Sequence, residues 1–259
     1  MIKERRNQAV RRLRVGAALL GFLAGAGCST TLPRQQVPLA PPMHAAEDII
    51  KDSVHYAVDV PDPLEGFNRR MYSFNYYVDK FLFLPVVRGY EWILPDYAED
   101  RVSNFVDNIY EFGNFSNNLL QFKVERAGIT LARFAVNTTV GIGGLWDPST
   151  GMNLPTQEED FGQTLGHYGV GNGPFIVLPI LGPSNLRDTT GTVVDASAFS
   201  FLGPPAWVDD DEVSLVFSGV SAVDKRHQLS FRYYRTGSPF EYEMIRMLYT
   251  AARELEIAK

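Results

Sequence analysis

The chain is poor in the residues that build covalent and metal frameworks. Of its 259 residues only Cys28 is a cysteine. One thiol excludes an internal disulfide and leaves zinc without a cysteine ligand set. His44, His55, His167 and His227 are the only histidines, and they lack metal-ligand spacing. There is no G-x-S-x-G elbow, no H-E-x-x-H helix and no P-loop. Gly169-Val-Gly-Asn-Gly173 has the glycine density of a phosphate cradle, yet Pro174 and an apolar run follow it instead of a helix. His167 reads as a hydrogen-bonded loop residue and Glu158-Glu159-Asp160 as a solvated acidic turn. No catalytic or metal-binding constellation emerges from these residues.

Long apolar runs are missing as well. The longest, Val15–Ala26, is about twelve residues, whereas a bilayer span needs roughly 20. It follows a leader containing Lys3, Arg5, Arg6, Arg11, Arg12 and Arg14, and it ends in small residues before Cys28. That order describes a secretory signal peptide over residues 1–27. Gly25-Ala26-Gly27-Cys28 resembles the lipobox of bacterial lipoproteins, although Gly25 stands where leucine is usual. Cys28 is the expected lipidation site. Ser29 follows it, where an aspartate commonly retains lipoproteins at the inner membrane, so the outer membrane is the expected destination. The leader carries six Lys/Arg and one Glu, so its removal takes the formal charge from −6 to −11. An acidic body argues against nucleic acid, whose binding rests on phosphate neutralisation. It also argues against docking on anionic headgroups by bulk charge.

What the chain does have is apolar and aromatic mass, 45% and 12% of residues. Residues 28–58, with Pro33, Pro38, Pro41 and Pro42, read as a lipidated tether with a reach of roughly 30 Å. Residues 59–236 form the predicted domain and 237–259 a C-terminal helix. Asp62 is expected to cap a helix with Pro63 at its first position and Glu65 completing a capping box. Phe67, Met71, Phe74, Val78 and Phe81 then share one helical face, and Pro85 and Pro95 punctuate the chain. Helical patterns follow at 97–110, 116–122 and 124–139, the last burying Val124, Ala127, Leu131, Phe134 and Ala135. Residues 160–188 look too glycine-rich for a helix, with 175–180 extended and Pro179 unsuited to a central strand. Helices return at 186–199, 210–234 and 239–257. Most of the apolar residues are expected to fill a core. Trp92, Trp146, Trp207 and the Tyr233-Tyr234 pair are candidates for a bilayer interface.

Several motifs carry a resemblance. They are Asp62-Pro-Leu-Glu-Gly-Phe-Asn-Arg69, Arg133-Phe-Ala-Val-Asn-Thr138, Gly141-Ile-Gly-Gly144 with Asp147-Pro148, and the run from Glu159 to Asp188. In this order, over roughly residues 60–235, they resemble the MlaA/VacJ family of lipoproteins. The resemblance implies a mostly α fold, a flat ring-like array of amphipathic helices joined by Pro/Gly-rich corners, with a central channel and little or no sheet. It implies removal of mislocalised phospholipids from the outer leaflet and their transfer to a periplasmic phospholipid-carrier protein, with no catalysis, no metal and no cofactor. Trimeric porins are the implied membrane partners and the inner leaflet of the outer membrane the implied location. Two channel or gating regions come with it: Ser73, Phe74, Asn75 and Tyr76 on a helix, and Gly169 and Gly171 at the hinge of a hairpin. Arg187 is read either as a phosphate ligand or as a salt bridge with Asp188 or Asp195. The competing readings are a non-transporting envelope or porin-organising scaffold and a lipid hydrolase.

Overall fold

The computed structural model describes residues 60–203 and 211–259. The signal sequence, Cys28, the tether and Trp207 lie outside the described residues. The described chain is mostly α with one small sheet. Helix α1 spans Glu65–Val78 and passes through a π-helical turn, Asp79–Phe83, directly into α2, Leu84–Ile93. Then come α3 (Asp96–Leu120), α4 (Val124–Thr139), the single turn α5 (Pro148–Gly151) and α6 (Phe161–His167). Strands β1 (Phe175–Leu178) and β2 (Gly182–Asn185) form an antiparallel hairpin pairing Phe175 with Asn185 and Leu178 with Gly182. Helices α7 (Leu186–Leu202), α8 (Asp211–Gln228) and α9 (Glu241–Ile257) complete it. None of the helices searched is long and apolar enough to cross a membrane.

The first helix starts later than its capping signature suggests. The N-cap is Leu64 and not Asp62, and no side chain caps the helix; Asp62 Oδ1 accepts from Leu64 N at 3.2 Å ahead of it, and Glu65 opens the helix. Glu65 pairs with Arg69 at 2.8 Å instead of closing a capping box. Pro85 does not break the chain either. Proline lacks an amide hydrogen and its ring crowds the carbonyl four residues back. The π-helical turn ahead of it widens the helix there, so the axis continues from α1 into α2. Pro95 does break it, with Leu94 extended at φ −98°, ψ 134°. The predicted helices at 97–110 and 116–122 are one continuous helix, α3.

Residues 161–167 are helical despite Gly162 and Gly166, and the reason is packing. Asp160 caps α6 by accepting from Gln163 N at 2.8 Å. A Cβ on Gly162 would approach Asp188 Oδ1 to 2.6 Å, and one on Gly191 would land on the backbone of Gly162. The glycines let α6 and α7 meet backbone to backbone, which outweighs a helix propensity loss of about 1 kcal/mol each. Pro179 falls in the hairpin loop, where no ladder amide is needed.

The apolar core is small. Val60, Tyr72, Phe175, Val177 and Tyr242 form it, with Tyr233, Tyr234 and Tyr249 packed against them. Tyr233 and Tyr234 meet the Tyr72 ring edge-on at 4.9 and 5.3 Å, so this pair belongs to the core and not to a lipid interface.

Candidate functional site: a polar interior under an apolar surface

The helices are turned inside out relative to the usual soluble pattern. In α1 the buried row is Asn68, Tyr72, Asn75, Tyr76 and, one turn on, Asp79. The apolar row Phe67, Phe74 and Phe81 is exposed, Phe81 by 58%. The expected core face of α4 is likewise reversed. Thr130, Arg133 and Asn137 are buried beside Ala127, while Val124 is 69% exposed and Leu131 is exposed too. Among the described residues 24 polar or charged side chains are buried against 9 apolar ones, and 35 large apolar side chains are exposed. Soluble monomers do not expose apolar surface on this scale. The expectation that most of these residues fill a core is therefore overturned. Trp92, at 86% exposed, is the extreme case, and Trp146 is also exposed.

Buried polar groups must be paired, and here they are paired densely. Arg133 on α4 gives Nε to Glu111 Oε1 on α3 at 2.8 Å and Nη2 to Asp147 Oδ2 at 3.0 Å. Its Nη1 reaches Thr150 Oγ1 at 3.3 Å and the Leu154 carbonyl. Burial alone would push the Asp147 carboxyl up. Hydrogen bonds from Ser149, Thr150 and Arg133 reverse that and hold it well below the usual carboxylate range.

Glu159 is not part of a solvated turn. It is buried, accepting from Lys123 Nζ at 2.8 Å, Arg126 Nη1 at 2.9 Å and Gln121 Nε2 at 2.8 Å. Arg253 on α9 spans Asp160 and Asp188 at 2.8 and 2.9 Å. Arg187 donates Nε to Asp188 Oδ1 at 2.9 Å, the ion pair with Asp188, while its Nη2, 2.8 Å from the same oxygen, makes no hydrogen bond. The Asp188 carboxyl, raised by burial, is brought below its ordinary value chiefly by Arg253, with Tyr249 and Arg187 assisting. Asp79 and Arg226 form a bidentate pair at 2.5 and 2.8 Å, tying the π-helical turn to α8. His167 ends α6 exposed, edge-on to Tyr168. No group of three or more His, Cys, Asp or Glu among the described residues is placed to hold a metal ion.

The gating candidates separate into two places. Asn75 and Asn68 lie seven residues apart, two turns along one face of α1, and both carboxamides clasp the outer edge of β1. Asn68 Nδ2 donates to the Phe175 carbonyl at 3.0 Å and its Oδ1 accepts from Val177 N at 2.8 Å. Asn75 repeats the pattern one step on, with Leu178 O at 2.8 Å and Ile180 N at 2.7 Å. A carboxamide offers the same donor and acceptor as a peptide group, so α1 stands in for a third strand. Ser73 Oγ meets Tyr234 OH at 3.1 Å, Tyr76 OH accepts from Lys80 Nζ at 2.8 Å, and Phe74 faces outward. Gly169 and Gly171 are exposed on the loop before the hairpin, with Gly169 at φ 84° where glycine carries no steric penalty. The hydrogen bonds of that loop run to α6, to Leu186 and Arg187 of α7, to Glu254 of α9 and to the Leu120 carbonyl of α3. The clasp thus joins Asn75 to the hairpin, while Gly169 and Gly171 stand at its base.

Sequence reasoning missed the Arg133–Glu111–Asp147 cluster and the role of Glu159. A signal was available: Thr130, Arg133 and Asn137 repeat at three- and four-residue steps, a polar stripe as regular as the apolar one.

The comparisons agree with this architecture. The family model described as "MlaA lipoprotein" matches residues 60–256. An uncharacterized protein of Rickettsia prowazekii (strain Madrid E) is 36% identical over 202 residues, 77% of this chain and 79% of that one. The intermembrane phospholipid transport system lipoprotein MlaA of Escherichia coli (strain K12) is 42% identical over 139 residues, 52% of this chain and 55% of that protein. A solved structure described as "Structural basis for maintenance of bacterial outer membrane lipid asymmetry" superposes with a TM-score of 0.61. It is 33% identical and covers 76% of this chain and 99% of its own. On these matches and the shared helical fold, the chain belongs to the MlaA lipoprotein family.

Proposed function

We propose that the protein removes mislocalised phospholipids from the outer leaflet of the outer membrane through a central channel and passes them to a periplasmic carrier protein. The observation that carries this is the reversed burial. A body with a hydrogen-bonded polar interior and exposed Phe, Trp, Leu and Val is suited to sit with apolar faces in one leaflet, as interfacial helices do. Exposed Trp92, Trp146 and Tyr97 suit the depth where aromatic anchors collect. A flat ring of helices around the channel, seated on the inner leaflet and held there by lipid on Cys28, belongs to this reading. So do trimeric porins as membrane partners. Ser73, Phe74, Asn75, Tyr76, Gly169 and Gly171 are its gating residues.

Deleting the gene is expected to leave phospholipid in the outer leaflet, measured by access of an external phospholipase or an amine-reactive probe to intact cells, and the wild-type gene should reverse it. Unchanged outer-leaflet phospholipid would sink the proposal. A scaffold that only organises porins is separated by a disulfide between cysteines placed at Phe74 and at the hairpin tip residue Ile180. Locking α1 to the hairpin stops lipid removal if they gate a channel and leaves a scaffold working.

A further inference from the structure

One arginine stands apart from the paired cations. Arg133, Arg187, Arg226 and Arg253 each meet at least one carboxylate within 3.0 Å. Arg101 on α3 has, among the described residues, one ionic partner, Asp100, at 3.9 Å with an exposed side chain. Its Nε is buried with no hydrogen-bond partner. The guanidinium carbon is 4.6 Å from the centre of the Tyr97 ring and 5.4 Å from that of Trp146. It lines a cavity of about 470 Å³ with Asn104, Val140, Trp146, Asp147 and Pro148. Asn104 Nδ2 donates to the Leu145 carbonyl at 3.3 Å, which holds the loop at the cavity's edge.

Rings against a guanidinium occupy part of its face, and the buried Nε is closed to any ligand, so the terminal Nη1 and Nη2 groups are the donors a ligand in the cavity can meet. A group bearing two adjacent anionic oxygens fits that terminal pair in the bidentate manner. Asp147 also lines the cavity, but it is bonded by Arg133, Ser149 and Thr150 and, among the described residues, makes no ion pair with Arg101. The cavity is not purely polar. Val140 and Trp146 line it and are exposed, and Ile142 and Leu145 beside them are exposed as well. A single ligand that satisfies both halves has an anionic oxygen pair joined directly to apolar chains.

We propose that this cavity is a phospholipid headgroup site in which Arg101 holds the phosphodiester and Val140 and Trp146 take the first part of the acyl chains. The proposal rests on the phospholipid reading above and gives it a binding residue. Free inorganic phosphate shares the anionic chemistry but gains nothing from Val140 and Trp146.

Trp146 reports occupancy directly once Trp92 and Trp207 are replaced by Phe. The full chain in neutral detergent is titrated with dihexanoyl phosphatidylglycerol, dihexanoyl phosphatidylethanolamine, dihexanoylglycerol and inorganic phosphate. Both phospholipids should change the Trp146 emission saturably, and Arg101→Gln should weaken them by about tenfold or more, the loss expected for a charge-assisted contact. Arg101→Lys should retain part of the affinity, and circular dichroism checks that each variant is folded. Dihexanoylglycerol should bind wild type and Arg101→Gln alike. Equal phospholipid affinity in Arg101→Gln overturns the site, and inorganic phosphate binding as tightly as lipid reassigns it to a free anion and overturns it too. The transport reading is scored independently, by outer-leaflet phospholipid in deletion cells carrying the wild-type gene. Failure there with Arg101-dependent binding intact removes transport alone, whereas normal rescue with Arg101-independent binding removes the site alone.

Discussion

Arg133→Ala should lower the free energy of unfolding by about 3–5 kcal/mol, a large part of the roughly 5–15 kcal/mol that holds a domain folded. The side chain fills no apolar space. Its removal strands Glu111, 3% exposed on α3, without the cation that compensates it. It also frees the Leu154 carbonyl and the Thr150 hydroxyl from their donor and loosens Asp147, the cap of α5. Breaking one side of a buried pair is worse than never having built it, because the orphaned charge keeps its desolvation cost. A second change, Glu111→Gln in the Arg133→Ala background, should restore part of the loss. Denaturant titration in detergent followed by circular dichroism measures both. A loss below about 1 kcal/mol for the single variant would mean that water reaches Glu111 and that the polar interior is not sealed.

Asn75→Ala should release the hairpin without unfolding the protein. The Asn75 carboxamide satisfies the Leu178 carbonyl and the Ile180 amide, and Asn68 remains to hold Phe175 and Val177. Leaving a part-buried backbone pair unmatched costs about 1–3 kcal/mol, towards the lower end where water reaches it. Amide exchange at Ile180 should therefore quicken by roughly 5- to 150-fold while exchange in α3 and α4 stays unchanged. Protection at Ile180 equal to that of the wild type would show that the Asn75 carboxamide does not hold the hairpin tip. If α1 and the hairpin form the gate proposed above, this variant also alters lipid passage.

Much of the fold is legible in the sequence, and the failures share one cause. Helices α4, α7 and α9 fall close to their predicted spans because period, caps and glycine stops are local signals. The direction each helix faces is not local. Periodicity shows that Phe67, Phe74 and Phe81 share a side of α1, but not whether that side meets protein or lipid. The usual rule assumes water outside, and here it inverts α1 and α4 together. Glu159 reads as solvated for the same reason, since its partners Lys123 and Arg126 sit at the start of α4, more than thirty residues earlier, and meet it only after folding. The glycine-rich stretch after Asp160 fails differently. Propensity counts Gly162 as a loss, whereas its value lies in the contact with Gly191 some thirty residues away. Of the gating candidates, Asn75 has a structural role that the spacing to Asn68 already encodes, while the role of Gly169 and Gly171 is carried by resemblance alone.

The central claim is that the exposed apolar side chains face lipid. Trp92 tests it most directly, being 86% exposed on α2. The lipoprotein, with Trp146 and Trp207 replaced by Phe, is reconstituted into vesicles whose acyl chains carry bromine. Strong quenching of Trp92 by the bromines together with protection from aqueous iodide is the expected result. Free quenching by iodide with none by the brominated chains would place the helical body in water beside the membrane and contradict the account.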